Sequence, residues 1–260
     1  MYVLITGTTS GLGKEFAQIF ASKGCNLVTV ATREDILKEQ KEYLERDYNI
    51  TVKYIVKDLS KEESYQEIYD EVKNNNIDVE VLINNAGFAT YGNYLDLPLD
   101  KQRNLAMVNM MAVMQLSYLF GKDMAKRGTG KIVNIASIAA FQAGPYMTMY
   151  YASKAFVLSF SEGLYEELRK SGVSVTTICP GPTQTGFEER ADMRKSDMFK
   201  KLKVDTAREV AQKSYKAIMK KKPVYIVGFR NKYLAFITRI FSLKITRKMA
   251  MKINKGSSKK

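Results

Sequence analysis

Residues 2 to 13 read YVLITGTTSGLG, a short apolar run that leads directly into a turn containing three glycines. Glycines in such a turn let the backbone approach a pyrophosphate and let the following helix pack closely on the strand. The start of that helix also attracts phosphate through unpaired N–H groups and the positive end of its dipole. The position of the turn between the first strand and the first helix favours a dinucleotide-binding loop over an ordinary turn. The predicted contacts are Gly7, Thr9, Ser10, Gly11, Leu12 and Gly13.

Apolar runs and helical stretches alternate from this loop to about residue 180. The runs are rich in valine and isoleucine and apolar on both faces, as in buried parallel strands. They span 2–6, 26–32, 51–56, 79–83, 131–136 and 173–178, with helices expected at 12–23, 34–47, 62–75, 101–126 and 151–170. This alternation is typical of right-handed βαβ units. We therefore predict an α/β fold, a single Rossmann-type domain at 1–228 with a doubly wound parallel sheet and helices on both faces.

The pattern changes after Pro180. Residues 183–205 lack a clear period and are predicted to form a long substrate loop. Thr206 and Glu209 stand at the spacing of a capping box, which predicts a new helix. The apolar PVYIV at 223–227 predicts another strand, and a basic, apolar C-terminal extension occupies 229–260.

The composition limits the chemistry. The chain has no histidine and two cysteines, Cys25 and Cys179, which excludes an imidazole base and any metal site built on histidine or clustered thiolates. We therefore predict no metal, and proton transfer must use tyrosine, lysine, serine or a carboxylic acid. The cysteines are far apart and lie in or beside apolar runs, which favours buried free thiols in a reducing compartment over a disulfide.

The formal net charge is +14, and the basic excess lies after residue 189. Residues 190–222 carry 12 basic and 4 acidic side chains, and residues 230–260 carry 10 basic and none acidic. No groove-reading or base-stacking motif accompanies this charge, so we expect no nucleic-acid partner. The chain also opens directly on a strand and has no long uncharged apolar run, which predicts a cytoplasmic protein without a spanning helix.

Tyr150 and Lys154 stand four residues apart in the helical stretch YYASK. Residues at this spacing share one helix face, so the ammonium can approach the phenol. A nearby positive charge favours phenolate, which predicts a Tyr150 pKa below its usual value of about 10 and closer to neutrality. An isolated pair of this kind is more often a partly buried tyrosine beside a surface lysine. Without histidine, however, it is the best acid/base pair in the chain.

Six motifs follow one another in the order TGTTSGLG at 6–13, NNAG at 84–87, Asn109, Ser137, YYASK at 150–154 and PGPTQT at 180–185. Together they resemble the motifs of the classical short-chain dehydrogenase/reductase family, over residues 1–185. The resemblance implies an oxidoreductase that moves a hydride between a nicotinamide cofactor and a carbonyl or secondary alcohol. It also implies a homodimer or homotetramer.

The resemblance implies a catalytic set of Asn109, Ser137, Tyr150 and Lys154. Tyr150 would donate the proton in reduction, Lys154 would lower its pKa and contact the nicotinamide ribose, and Ser137 would steady the substrate oxygen. Asn109 would hold a water in a proton relay to Lys154; Tyr151 does not match the family's tyrosine position. From the residues alone, Ser137 could instead cap a turn and Asn109 could bond to backbone. Further implied cofactor contacts are Asp58, Leu59, Asn85, Ala86, Gly87, Tyr150, Lys154, Pro180, Gly181, Thr183 and Thr185.

Cofactor choice depends on the end of the second predicted strand. A neutral residue, Thr32, stands there with Arg33 directly after it. An acidic residue at this place usually binds the ribose 2′-hydroxyl of NAD, whereas a guanidinium suits the 2′-phosphate of NADP. The sequence therefore favours NADP(H) over NAD(H). NAD(H) stays an alternative, because the acidic residues Glu34 and Asp35 follow directly.

The expected substrate pocket is apolar, aromatic and rich in methionine. Such a pocket suits a lipophilic ketone or alcohol, of steroid (hydroxysteroid dehydrogenase-like) or 3-oxoacyl (ketoacyl reductase-like) type. Several members could instead pack in the core. They are Phe88, Ile138, Phe141, Tyr146, Met147, Met193, Met198 and Phe199.

Residues 233–253 place apolar side chains at steps of three or four, interleaved with arginine and lysine. This predicts one basic amphipathic helix. Such a helix can lie on an anionic membrane surface, contact another subunit or cover the substrate pocket. The first possibility gives peripheral association with the inner membrane surface, and all three stay open.

Two other functions fit part of the pattern. An epimerase or dehydratase of the extended family would have a differently spaced glycine motif and a longer C-terminal part. A non-catalytic NADP(H)-binding regulator would keep the fold and the cofactor site without chemistry. The complete serine, tyrosine, lysine and asparagine set argues against the regulator.

Overall fold

A sheet of parallel strands forms the centre of the computed structural model, which describes residues 1–186 and 204–255. The strands are β1 Tyr2–Thr6, β2 Asn26–Ala31, β3 Val52–Val56, β4 Val79–Asn84, β5 Gly130–Ile135, β6 Val173–Cys179, β7 Thr183–Gln184, β8 Asp205–Thr206 and β9 Val224–Ile226. Seven of them lie in the order β3-β2-β1-β4-β5-β6-β9, and β7 pairs separately with β8. The predicted doubly wound parallel sheet is confirmed.

Helices cover both faces of the sheet. They are α1 Gly11–Ala21, α2 Glu34–Tyr48, α3 Glu63–Asn74, α4 Leu99–Ala106, α5 Ala112–Arg127, α6 Thr148–Leu168, α7 Ala207–Met219, α8 Phe229–Ile240 and α9 Leu243–Lys255. The single helix predicted at 101–126 is wrong in detail, because a π-helical turn at Met107–Met111 separates α4 from α5. The helix expected at 151–170 begins earlier, at Thr148, so Tyr150 lies in its first turn.

Side chains of each strand alternate between two cores, one on each face of the sheet. Val3 and Ile5 of β1 pack with Phe16 of α1, whereas Leu4 packs in the opposite core with α3 and α5. Each such side chain contributes roughly 1.5–3 kcal/mol through burial. Because both faces are buried, the strands are continuous apolar runs in the sequence, as expected for a parallel sheet.

The strand order reverses at β1, which lies between β2 and β4. In open α/β sheets, ligands bind outside the carboxyl ends of the strands at such a reversal, because the adjacent crossovers leave a crevice there. The segments that follow β1, β4, β5 and β6 all contribute to one cavity at this edge.

Part of the predicted substrate loop at 183–205 lies outside the described residues. The ends that are described pair with each other, Thr183 beside Asp205, so the loop leaves and rejoins the domain at one place. The predicted capping box is confirmed: Thr206 accepts a 3.2 Å hydrogen bond from the Glu209 N–H, and the Glu209 carboxylate accepts one of 3.1 Å from the Thr206 N–H.

The C-terminal extension forms two helices, so the prediction of one helix over 233–253 is wrong. Phe241 has an extended backbone, and the backbone carbonyl of Ser242 accepts hydrogen bonds from the N–H groups of Ile245 and Thr246 in α9. Both helices keep the apolar spacing, which explains why the break was not visible in the pattern. Among the described residues, none of the helices has the length and apolar character needed to cross a bilayer.

Candidate active site

A cavity of about 780 Å³ opens at the carboxyl ends of the central strands. It brings together Ser137, Tyr150 and Lys154, three of the four predicted catalytic residues. The predicted cofactor residues in its wall are Gly7, Thr9, Ser10, Gly11, Leu12, Thr32, Arg33, Asp58, Leu59, Asn85, Ala86, Gly87, Pro180, Gly181, Thr183 and Thr185. Gly13 and Asn109 lie behind the wall and support it.

The glycine loop after β1 depends on the absence of side chains at two positions. Gly7 has a φ of +72°, in the left-handed region that glycine adopts without strain. A Cβ atom on Gly13 would lie only 2.1 Å from the carbonyl oxygen of Gly7. Gly13 therefore lets α1 pack against the loop. In the described structure, the amino end of α1 has no side-chain cap and no acidic residue in its first turn, which suits an anionic ligand.

The NNAG segment after β4 fastens the glycine loop to the centre of the sheet. The Asn85 side chain donates hydrogen bonds of 2.8 Å to the carbonyl of Thr6 and 3.2 Å to that of Gly7. The Thr6 hydroxyl accepts 3.0 Å hydrogen bonds from the N–H groups of Asn85 and Ala86. These contacts fix the loop before any ligand binds.

Arg33 lies beside the glycine loop at the end of β2. Its guanidinium donates a 2.7 Å hydrogen bond to the Thr9 hydroxyl, and both residues line the cavity. Glu34 and Asp35 are not among the described residues that form the cavity wall. Glu34 instead pairs with Lys38 along α2, at 2.9 Å. The basic side chain, rather than the acidic ones, therefore reaches the cavity.

Asp58 and Leu59 form the cavity wall after β3. One carboxylate oxygen of Asp58 accepts a 2.9 Å hydrogen bond from the N–H of Ser60. This bond holds the carboxylate in a fixed orientation at the end of the strand.

Ser137 follows β5, where it caps a turn and also contacts Tyr150. Its Oγ accepts a 3.1 Å hydrogen bond from the Ala139 N–H, so it caps the 3₁₀ turn Ile138–Phe141. The same hydroxyl is hydrogen-bonded to the side chain of Tyr150, and this bond favours the phenolate. The cap therefore fixes the serine against the tyrosine.

Lys154 is buried on α6, and its ammonium donates a 2.8 Å hydrogen bond to the carbonyl of Ile135 at the end of β5. Its Nζ lies 5.7 Å from the centroid of the Tyr150 ring. Burial disfavours the charged form and lowers the pKa of Lys154 to about 8. The side chain therefore remains mainly protonated at neutral pH.

The expected lowering of the Tyr150 pKa is wrong for this structure. Burial raises the pKa of Tyr150 to about 12, and the hydrogen bond from Ser137 offsets only part of this effect. The reason is the cost of placing a phenolate away from water. Lys154 is fixed by the Ile135 carbonyl and lies over the ring. Tyr150 is therefore a protonated group at neutral pH.

Asn109 lies in the π-helical turn and is buried. Its side chain accepts a 3.1 Å hydrogen bond from the Phe88 N–H and donates bonds of 3.0 Å to the Phe88 carbonyl and 3.1 Å to the Ser153 hydroxyl. A Cβ on Gly87 would lie 3.0 Å from its Oδ1 and 3.6 Å from the Lys154 ammonium. Asn109 thus joins the NNAG segment to α6. The water relay stays a prediction.

The expected substrate pocket is only partly formed by the residues chosen from the sequence. Phe88, Ile138 and Met147 line the cavity. Phe141 packs in the core around Val157, and Tyr146 lies against Tyr91 with ring centroids 6.3 Å apart. These two therefore do not line the cavity. Met193, Met198 and Phe199 lie outside the described residues.

Several wall residues were not predictable from the sequence, because their roles depend on tertiary packing. Asn104 and Val108 reach the cavity from α4 and the π turn. The C-terminal helices form another part of the wall, so the extension covers the cavity, one of the three roles considered for it. Their lining residues are Leu234, Ala235, Ile237, Thr238, Thr246, Met249, Ala250, Ile253 and Asn254.

Asn254 fastens α9 over the cavity, although nothing in the sequence distinguished it. Its fully buried side chain donates a 2.8 Å hydrogen bond to the Pro145 carbonyl and accepts one of 3.4 Å from the Tyr151 hydroxyl. The Tyr91 hydroxyl donates a 2.7 Å hydrogen bond to the backbone carbonyl of Asn254. Tyr151, the alternative tyrosine, is therefore used to anchor the C-terminal helix.

Comparison with known proteins identifies the same architecture. Residues 1–196 match the family model described as short chain dehydrogenase. The probable oxidoreductase EphD of Mycobacterium tuberculosis is 31% identical over 253 residues, covering 92% of this chain and 43% of that protein. The very-long-chain 3-oxoacyl-CoA reductase of Rattus norvegicus is 32% identical over 185 residues, covering 69% and 58%. The chain thus spans about half the length of these two relatives.

A third relative is the 7beta-hydroxysteroid dehydrogenase of Mediterraneibacter gnavus, which is 31% identical over 182 residues, covering 70% of this chain and 68% of that protein. Among solved structures, a short-chain dehydrogenase from Sphingobium yanoikuyae in complex with NADPH has a TM-score of 0.83 at 28% identity, covering 92% and 93% of the two chains. A Burkholderia phymatum homologue in complex with NAD has a TM-score of 0.83 at 26% identity, covering 95% of each. From its motifs, its fold and these similarities, the chain belongs to the short-chain dehydrogenase/reductase family.

Proposed function

We propose that this oxidoreductase reduces a lipophilic ketone with NADPH, or oxidises the corresponding secondary alcohol with NADP⁺. The observation that carries the proposal is the meeting of Ser137, Tyr150 and Lys154 in one cavity with the glycine loop. A bound nicotinamide supplies or accepts the hydride, which no amino-acid side chain can do. The chain supplies the binding loop, the proton and the local charge.

The cavity wall fits a phosphorylated dinucleotide. The amino end of α1 offers N–H donors, and Gly7 lets the backbone approach closely. Arg33 lies in the wall at the end of β2, where a 2′-phosphate would be bound, and its fork of donors suits a phosphate. The positions of Glu34 and Asp35 outside the wall support NADP(H) over NAD(H).

Tyr150 holds the proton that the carbonyl oxygen takes up in reduction. Because burial raises its pKa to about 12, the hydroxyl is protonated throughout the neutral range. A protonated hydroxyl beside a substrate oxygen acts as a general acid, and Ser137 fixes its orientation. In reduction, the proton is therefore already on Tyr150 before the hydride is transferred.

Lys154 stabilises the phenolate that remains after Tyr150 has donated its proton. Its pKa of about 8 leaves the ammonium mainly charged at pH 7, and the Ile135 carbonyl holds it beside the tyrosine. A positive charge at this distance lowers the free energy of the phenolate, which burial alone raises. Asn109 is a positioning residue, because it joins Phe88 to Ser153 on the catalytic helix.

The remaining wall supports a lipophilic substrate. Phe88, Val108 and Met147 line it from the catalytic domain, and Ile237 and Ile253 line it from the C-terminal helices. Binding an apolar ligand here removes its surface from water, at ~25 cal/mol per Å². The names of two relatives, a 3-oxoacyl-CoA reductase and a hydroxysteroid dehydrogenase, support the same substrate class.

A substrate panel tests the proposal. NADPH oxidation would be followed with steroid ketones, 3-oxoacyl thioesters and small water-soluble ketones, each repeated with NADH. We expect kcat/KM for bulky lipophilic ketones to exceed that for acetone at least tenfold, since each buried CH₂ contributes ~0.8 kcal/mol. Equal values for large and small ketones would contradict the lipophilic assignment. NADPH binding without turnover of any ketone would support the non-catalytic alternative.

A further inference from the structure

Helix α8 carries an exposed apolar stripe. Phe229, Tyr233, Phe236 and Ile240 follow one another at steps of four, three and four residues, so they share one face. Their exposed fractions are 83%, 58%, 59% and 64%. The small residue Ala235 is buried against the protein instead. A helix on a soluble domain normally has the reverse arrangement, with its apolar face buried.

Helix α9 extends this surface. Leu243, Ile245 and Met249 are 75%, 45% and 54% exposed. More than half of the large apolar side chains that are exposed in the described residues lie between 229 and 251. A contiguous apolar surface of this kind marks an interaction site rather than ordinary solvent-exposed surface.

The same two helices carry a dense positive charge. Between residues 230 and 260 the sequence contains no acidic side chain. None of the described basic side chains in α8 and α9 forms an ion pair with a described carboxylate. The exposed basic residues are Arg230, Lys232, Lys244, Arg247, Lys248, Lys252 and Lys255.

We infer that α8 and α9 form a docking surface for an anionic lipid bilayer. The apolar stripe of α8 would enter the boundary between headgroups and acyl chains, while the flanking ammonium and guanidinium groups bind anionic headgroups. A second copy of the chain fits this surface less well. A symmetric contact would place the two tails against each other, with basic groups facing basic groups and no acidic residue between them.

The docking surface is continuous with the mouth of the cavity. Leu234 and Met249 line the cavity, yet they are 39% and 54% exposed. An apolar path therefore leads from the outer surface of the C-terminal helices into the substrate pocket. A bilayer bound here would bring dissolved lipophilic molecules to that mouth.

Sedimentation with vesicles tests the inference on the full-length protein. We expect wild-type protein to sediment with phosphatidylcholine vesicles that contain about 30% phosphatidylglycerol, and to bind pure phosphatidylcholine at least tenfold more weakly. High salt should weaken the binding to anionic vesicles, because it screens exposed charges. Phe236→Glu, in the centre of the stripe, should weaken it at least tenfold.

Met219→Glu is the matched control. Met219 is 44% exposed and ends α7 just before β9, at the edge of the sheet opposite the cavity. This variant should bind vesicles as the wild type does. Both variants should reduce a water-soluble ketone with NADPH at the wild-type rate, which shows that they are folded.

Three outcomes would overturn the inference. The wild type could stay in the supernatant with anionic vesicles, or Phe236→Glu could bind them as well as Met219→Glu does. Alternatively, Phe236→Glu could reduce the mass of the protein on gel filtration without changing vesicle binding. The stripe would then be a contact between subunits.

Discussion

The Lys154 ammonium lies 5.7 Å from the centroid of the Tyr150 ring, while its hydrogen bond goes to the Ile135 carbonyl, at 2.8 Å. The lysine is thus fixed by the backbone of the central sheet and adds positive charge beside the tyrosine. Burial lowers the pKa of Lys154 to about 8 and raises the pKa of Tyr150 to about 12. Both groups are therefore protonated together only below about pH 8.

This arrangement predicts the pH dependence of ketone reduction. Below its pKa of about 8, Lys154 is charged. In the proposed mechanism this charge stabilises the phenolate, and the stabilisation is lost above that pKa, where the lysine is neutral. We expect kcat/KM to be constant from about pH 6 to 7.5 and to fall tenfold per pH unit above about 8. Initial rates across this range check the prediction, and a constant value up to pH 10 would contradict it.

Arg33 is expected to select the cofactor. Arg33→Ser removes the guanidinium that lies beside Thr9 in the cavity wall. A charge-assisted hydrogen bond contributes ~1.5–3 kcal/mol, so the KM for NADPH should rise about 10- to 100-fold. The KM for NADH should change less than about threefold.

Arg46→Ser is the control for the cofactor experiment. Arg46 lies near the other end of α2, where it pairs with the neighbouring Asp47 at 2.8 Å. Its removal should leave both KM values unchanged. If Arg33→Ser and Arg46→Ser had the same KM for NADPH, Arg33 would not bind the 2′-phosphate.

Alanine substitutions at two glycines distinguish the effect of steric packing from the effect of helix propensity. Gly13→Ala would place a Cβ 2.1 Å from the Gly7 carbonyl, whereas a Cβ on Gly163 in α6 meets nothing within 4 Å. We expect Gly13→Ala to lower Tm and to weaken NADPH binding at least tenfold, because the loop must shift. Gly163→Ala should raise the free energy of unfolding by ~0.5–1 kcal/mol. Calorimetry and cofactor titration measure both, and equal behaviour of the two variants would contradict the packing account.

The fold was largely predictable, because its strands are buried on both faces and its helices alternate with them. The run 2–6 has a single interpretation because a glycine turn and a helix follow it, and the run 26–32 because a helical stretch follows it directly. The glycine loop and the Tyr150 and Lys154 pair were predictable for the same reason, since chemistry and local spacing coincide there. The direction of the Tyr150 pKa was not, because burial depends on elements distant in sequence.

The C-terminal extension was the least predictable part. Its apolar period continues through Phe241 and Ser242, where the chain turns between α8 and α9. Asn254 has no local signal, because its partners are Pro145 and Tyr151. Long-range hydrogen bonds of this kind leave no spacing pattern in a single sequence.

Asn254 is expected to hold the C-terminal helix over the pocket. Asn254→Ala leaves the Pro145 carbonyl and the Tyr151 hydroxyl without their partner, which costs about 2 kcal/mol of unfolding free energy. The KM for bulky ketones should rise several-fold, while the Kd for NADPH stays unchanged. Lys255→Ala, an exposed neighbour, is the control. Unchanged Tm and KM in Asn254→Ala would show that this contact does not retain the helix.

Turnover by Tyr150→Phe, compared with Tyr151→Phe, tests the central claim most directly. Removing the Tyr150 hydroxyl should lower kcat for ketone reduction by about 100- to 10,000-fold, because the general acid is lost. The Kd for NADPH should stay within about twofold of wild type, and Tyr151→Phe should retain most of its kcat, because Tyr151 anchors α9. If Tyr150→Phe kept most of the wild-type kcat, the assignment of Tyr150 as the proton donor would be wrong.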